Sequence, residues 1–205
     1  YKNYFNMGTS GLIGGLGLGI AMVTFIYSIT NTSAAITLLC LAAMPFFTAL
    51  LGFLFLKERI SLNVWAAIII ATIGIIIIAF GNTEKNSLLG LVFGMISSIG
   101  FSVFSVSLRW RKETPKFTTV AVAGLFCVIV SCIFILGSNL NFFSSSYNGS
   151  LFSLHGTLVC IGLILYSIGS KAIPAAELTL LSLTEVIGGI FWVWLPFFGI
   201  NEIPT

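Results

Sequence analysis

Glu185 is the side chain in this sequence best placed to do chemistry. It lies near the middle of Pro174–Pro196, PAAELTLLSLTEVIGGIFWVWLP, a run that is otherwise almost entirely apolar. A carboxylate at the centre of a bilayer costs about 2.5–3.5 kcal/mol on insertion scales, so such acids usually face a protein interior or a watery path. The membrane surface is roughly 15 Å from the centre of such a span, and a glutamate side chain cannot reach it. Helical spacing places Leu178, Ser182, Glu185, Gly189 and Trp192 on one stripe, smaller and more polar than its surroundings. An acid there can bind a substrate ammonium or exchange a proton. The plainer alternative is a structural acid satisfied by a neighbouring hydroxyl. Tyr166, Ser98 and Phe101, on other runs, are further candidates for the same substrate site.

Other chemistries lack their residues. One histidine, His155, excludes a multi-His metal centre. The four cysteines, Cys40, Cys127, Cys132 and Cys160, lie inside apolar runs and none forms a CxxC pair. No GxSxG, HExxH or phosphate-cradling Gly-Lys-Ser/Thr loop occurs. The reading is therefore not an enzyme, with no cofactor and no metal. The charged residues form no run long enough for nucleic acid.

The elements that hold these residues are membrane helices. The 205 residues are 58% hydrophobic and 7% charged, with a mean hydropathy of +1.11. Soluble domains carry about 25% charged residues. Seven runs approach the roughly 20 apolar residues that a span needs. They are Gly11–Thr30, Ser33–Leu56, Ser61–Phe80, Leu88–Trp110, Phe117–Gly137, Leu154–Ala172 and Ala175–Phe198. They are continuously apolar and do not alternate, which favours helices over barrel strands. The fold class is all-α integral membrane.

The loops set the orientation. With the N-terminus inside, Lys2, Lys57, Arg59, Arg109, Arg111, Lys112, Lys116 and Lys171 are cytoplasmic and Lys85 alone is outside, a split of 8 to 1. The loop Ser138–Ser153 is then external, and His155 falls at the outer interface. Glu177, in the first turn after Pro174, reads as a helix-capping acid.

An internal repeat is visible. Tyr27-Ser28-Ile29 matches Tyr166-Ser167-Ile168, and Ser33-Ala34-Ala35 then matches Pro174-Ala175-Ala176. Five runs separate the start of the first copy from the start of the second, so the second crosses the membrane in the opposite sense, as in an inverted repeat. The stripe on Ser33–Leu56 that corresponds to the Glu185 stripe is Thr37, Cys40 or Leu41, Met44, Thr48 and Leu51. A five-helix unit needs two helices before the first run and one after the last, which predicts a fragment of a longer protein. Gly11, Gly15 and Gly19, and Gly90, Gly94 and Ser98, repeat at GxxxG spacing. Close helix packing is the plainer reading, and faces that slide during alternating access the functional one. Ser97, Ser98, Ser102 and Ser105 can bond back to their own helix or line a cavity.

The stretch SAAITLLCLAAMPFFTALLGFLFLKERIS, followed at once by another span, resembles the EamA-like members of the drug/metabolite transporter superfamily. The second copy, PAAELTLLSLTEVIGGIFWVWL with NEIPT after it, resembles the family's later acidic helix and turn. By this match Glu185 is the motif acid and Glu202 the turn acid. Val186 stands where the family has proline, and Gly199-Ile200-Asn201 lengthens the turn. The resemblance implies helices three to nine of a ten-helix inverted repeat. Residues 1–80 would end the first repeat and 81–205 form most of the second. It implies a secondary transporter with a central cavity, exporting amino-acid or drug-like small metabolites across the bacterial inner membrane. The partners expected are a small-molecule substrate, the lipid bilayer and a proton as coupling ion. A non-transporting scaffold or receptor subunit is the competing reading. It accounts for the glycine faces but not for an inverted repeat around an acid.

Overall fold

The computed structural model describes residues 8–58, 61–81, 88–110, 116–137 and 146–194. Every described element is helical: α1 (Gly8–Asn31), α2 (Ala34–Leu41), α3 (Met44–Leu51) with a widened final turn over Gly52–Leu56, α4 (Leu62–Gly81), α5 (Leu88–Trp110), α6 (Lys116–Gly137), α7 (Ser146–Gly169) and α8 (Ala175–Trp194). Helix thus occupies each of the seven predicted runs. Among the described residues, five stretches are long and apolar enough to cross a membrane: Gly8–Asn31, Ile36–Leu56, Leu88–Trp110, Phe117–Gly137 and Tyr147–Gly169. Leu136, Phe152 and Leu158 stand on the outside of α6 and α7. Such apolar surface is costly in water and ordinary against lipid. The chain is an all-α integral membrane protein.

Packing begins at α1 and α5, whose backbones touch. A Cβ placed on Gly100 would lie 2.6 Å from the Gly17 carbonyl oxygen, and one on Gly17 would lie 2.9 Å from that of Gly100. Gly15 and Gly19 meet Val122 and Phe126 of α6 in the same way. The glycine faces are therefore tightly packed seams. Hydroxyls fix the register between the helices: Ser97 donates to the Ala21 carbonyl at 2.8 Å, and Ser28 to the Gly90 carbonyl at 2.8 Å. Interhelical hydrogen bonds in membranes contribute on the order of 0.6 kcal/mol, so they specify this seam more than they stabilise it. Leu18, Phe104, Leu108, Val120 and Ala123 form the core where α1, α5 and α6 meet.

The contacts also give the direction of each helix. Gly14 lies against Ser107 and Ser28 against Gly90, so α1 runs antiparallel to α5. Tyr166 meets Ser105, and Arg109 meets Ser170, so α7 runs parallel to α5 and opposite to α1. Ala176 packs with Ala49, and Gly189 faces Leu38, so α8 runs antiparallel to α2 and α3.

Two sequence expectations need correction. Ser33–Leu56 is not one helix. Ser33 caps α2 by accepting from the Ile36 N–H, and the helix stops at Leu41. Pro45 begins α3. Proline has no N–H, so the Leu41 carbonyl loses its usual helical partner. α7 begins at Ser146, eight residues before the predicted Leu154, so His155 lies within a helix and Ser146–Ser153 is not loop. The predicted helix start at Ala175, with Glu177 in the first turn, agrees with α8.

Glu58, Arg109, Ser170 and Lys171 meet at one end of the bundle, the end that the charge split is expected to place in the cytoplasm. Lys2, Arg59, Lys85, Arg111 and Lys112 lie outside the described residues. In right-side-out vesicles, a membrane-impermeant maleimide is expected to label Ser145→Cys and to spare Lys171→Cys. Labelling in the reverse pattern overturns the orientation.

Candidate functional site

The sequence singled out seven residues, and the structure packs two of them, Tyr166 and Phe101, against each other. Tyr166 on α7 leans onto α5. Its ring packs against Phe101, with centroids 5.2 Å apart in an edge-on arrangement, and stacks on Phe104 at 5.9 Å. Its hydroxyl lies 2.7 Å from the Ser105 hydroxyl. Either hydroxyl can donate in this pair; when Ser105 gives its proton to the Phe101 carbonyl at 3.0 Å, Tyr166 is the donor. The lone pairs of the Tyr166 oxygen are then free to accept from a third group. The Glu185 carboxylate on α8 lies within electrostatic reach of Tyr166. An aromatic wall and a hydroxyl thus meet between α5 and α7, with the α8 carboxylate within electrostatic reach, a combination suited to an ammonium group.

Glu185 itself differs from the expectation of an acid enclosed by helices. Its side chain is exposed, and it takes no part in the ion pair described below. The neighbouring Val186 is buried, as are Ala175, Ala176, Leu178 and Thr179 nearer the start of α8.

The remaining predicted residues are placed as follows. Ser98 is fully buried on α5, and its hydroxyl has no hydrogen-bond partner among the described residues. It stands one turn from Ser102, whose hydroxyl is shared between the carbonyls of Ser98 and Met44 at 2.8 and 3.1 Å. Ser98 therefore belongs to the polar seam beside the break between α2 and α3, apart from the Tyr166 group. Ser182 donates to the Thr179 carbonyl of its own helix at 2.7 Å. Gly189 faces Leu38. Trp192 lies in α8, with its side chain outside what the structure describes, and Glu202 and the turn before it lie outside altogether.

Sequence reasoning missed Ser105 and Thr48 as site residues. Ser105 holds Tyr166, and only its place in the serine series marked it. Thr48 is fully buried with an unpartnered hydroxyl among the described residues, on the stripe that the repeat pairs with Glu185. Thr37 and Met44 of that stripe are equally buried, and Thr37 shares a hydrogen bond with Ser28 at 2.9 Å.

Tyr166→Phe isolates the hydroxyl, since the ring and its packing remain. Loss of one such hydrogen bond is expected to cost under about 1 kcal/mol of stability. If the hydroxyl also accepts from cargo, the half-saturating cargo concentration rises while thermal stability barely moves. Parallel thermal unfolding and concentration-dependent flux measurements check this, and an unchanged half-saturation confines the hydroxyl to packing.

Comparison with known proteins supplies the remaining information. Residues 4–80 match the EamA-like transporter family. Over 202 residues, 95% of this chain, the sequence is 25% identical to the uncharacterized transporter YdfC of Bacillus subtilis, covering 64% of that protein. Over 108 residues, 53% of this chain, it is 29% identical to an uncharacterized transporter of Helicobacter pylori, covering 36% of it. The chain spans less than two thirds of the curated relatives it matches.

Proposed function

From the match of residues 4–80 to the EamA-like transporter family we propose that the chain is the greater part of a secondary transporter for small metabolites that carry an ammonium group. The observation that carries the reading is the packing of Tyr166 of α7 on Phe101 of α5, with its hydroxyl held at Ser105 and the Glu185 carboxylate of α8 within electrostatic reach. Cargo of amino-acid or drug-like size places its ammonium at Glu185 and its apolar part against the aromatic wall. The exposure of Glu185 suits this role, since a carboxylate sealed among helices could not meet a cargo. On the same stripe Ser182 lies on the cytoplasmic side of Glu185, and Gly189 and Trp192 lie on its outer side.

Two features support movement around that site. α1 and α7 run in opposite senses, as do α2–α3 and α8, which agrees with an inverted repeat in which residues 1–80 end the first unit and 81–205 make up most of the second. The span over Ile36–Leu56 is broken near its middle by Ala42, Ala43 and Pro45, the kind of interruption found beside binding sites in transporters. The cargo leaves the cell across the inner membrane of a bacterium, and a proton entering at Glu185 drives it out.

Inside-out membrane vesicles holding the full-length protein test the direction and the coupling. Once a proton gradient is established, an aromatic amine is expected to accumulate inside them, and an uncoupler is expected to release it. Accumulation that persists after uncoupling removes the proton from the scheme. Loss of amine from loaded vesicles on energisation reverses the direction.

A further inference from the structure

Arg109 is the residue of α5 that leaves the helix sideways. Its Nε and Nη2 both donate to Glu58 Oε1, at 3.0 and 2.9 Å. Its Nη1 reaches the carbonyls of Ser170 and Lys171, each at 3.4 Å, in the turn between α7 and α8. One guanidinium therefore joins three ends of the bundle. The planar fork of arginine makes this possible, because it presents donors on two sides at once, whereas a lysine offers a point charge.

The chain spends conformational energy to bring Glu58 there. The final turn of its span is widened over Gly52–Leu56, and both Lys57 and Glu58 donate their N–H to the Gly52 carbonyl. Lys57 then adopts a left-handed conformation, with φ 54° and ψ 30°. It is the one non-glycine residue with positive φ among the described residues. A residue with a side chain disfavours that conformation, and such strain persists where the surrounding contacts impose it. The reversal turns Glu58 back toward α5. The side chains of Arg109 and Glu58 are only 13% and 23% exposed, so water screens the pair incompletely.

The positions that Arg109 joins do not belong to one proposed unit. Glu58 closes the broken span in residues 1–80, while Arg109, Ser170 and Lys171 lie in residues 81–205. We propose that Arg109 is the latch of a cytoplasmic gate, tying Glu58 to the α7–α8 turn so that the end of the broken span moves away from that turn only when the guanidinium lets go. The purpose of the latch rests on the transporter reading. Its mechanics rest on the contacts above. In alternating access one unit rocks against the other around a fixed site, and a contact spanning both at one face must break when that face opens. The acceptors on the α7–α8 side are backbone carbonyls, so substitutions there leave that half of the latch intact, and the sensitive side chains are Arg109 and Glu58 alone.

Pulsed electron paramagnetic resonance on the full-length protein in lipid nanodiscs tests this. Spin labels are placed at Lys57→Cys and Lys171→Cys, both exposed beside the latch, on a background without other cysteines. The unsubstituted latch is expected to give mainly one short distance. Arg109→Gln and Glu58→Gln are each expected to raise the ratio of long to short distances about fivefold, the shift that follows from losing a partly buried charged contact. Arg109→Lys is expected to shift it too, because the charge remains and the fork does not. Where one variant fails to fold, the others read the same latch from its other partner or with the charge retained. Unchanged distances in the folded variants overturn the proposal. So does a loss of thermal stability with unchanged distances, which would make the contact a static staple. If the full-length protein moves no amine and the distances still shift, the gate stands and the transport reading falls.

Discussion

Glu185→Gln in the full-length protein is expected to reduce amine flux at least tenfold while leaving insertion and folding intact. Glutamine keeps the shape and hydrogen-bonding reach of glutamate and removes only the charge. The side chain is exposed and is not part of the Arg109 ion pair, so the fold does not depend on its charge. The cargo does. A charge-assisted contact between ammonium and carboxylate is about twice as strong as a neutral one, and a difference of about 1.4 kcal/mol already corresponds to tenfold in affinity. Expression level and gel-filtration profile provide the folding control. Flux within twofold of the unsubstituted protein, with unchanged pH dependence, would make Glu185 structural and move the site elsewhere.

The second large effect is expected at the opposite kind of position. Gly100→Ala places a Cβ 2.6 Å from the Gly17 carbonyl oxygen and 3.1 Å from the Ala21 nitrogen. Both are backbone atoms on a packed helix and cannot swing away. The two helices must move apart, which also strains the Ser97 hydrogen bond to Ala21. Overpacking of this kind costs about 1–3 kcal/mol, and Gly100→Leu extends the clash. The measurement is the thermal midpoint in detergent or nanodiscs. Gly124→Ala on α6 is the control, because a Cβ there meets nothing within 4 Å. A clear fall for Gly100→Ala with no fall for Gly124→Ala is expected. Equal midpoints for the two would mean that the α1–α5 seam has slack.

These two positions show what could be read in the sequence. α5 has the predicted bounds, Leu88–Trp110, because a long apolar run between charged ends has few other solutions in a bilayer. Tight packing at the glycines was also legible, although their partners were not: Gly15 and Gly19 meet α6, while Gly14 and Gly17 meet α5. Such partners depend on helix rotation, which seven similar apolar runs do not specify. The break at Ala42–Ala43 had a visible signal in Pro45. Proline is common in membrane helices, so the signal alone did not separate a kink from an interruption. The start of α7 at Ser146 was hidden because Ser, Asn and Gly outside the hydrocarbon region read as loop.

The site was legible as residue types and only partly as geometry. Tyr166 and Phe101 were singled out, and they pack together, with Glu185 in electrostatic reach of Tyr166. Ser98 was singled out and belongs instead to the seam beside α2 and α3. Ser182 spends its hydroxyl on its own helix. The Arg109–Glu58 contact was legible only as two members of a cytoplasmic charge excess. Fifty-one residues separate the pair, and the reversal at Lys57 that aims the acid has no glycine to announce it.

The central claim is that an amine is carried past Glu185, and counterflow through the full-length protein in proteoliposomes tests it most directly. Liposomes loaded with an unlabelled aromatic amine are diluted into the same amine carrying a radiolabel, with no ion gradient imposed. The account predicts transient accumulation of label. A permanently neutral analogue of the same shape should not compete for it, and Glu185→Gln should abolish it. Label that enters no faster than into protein-free liposomes, or that the neutral analogue displaces as well as the amine does, would contradict the account.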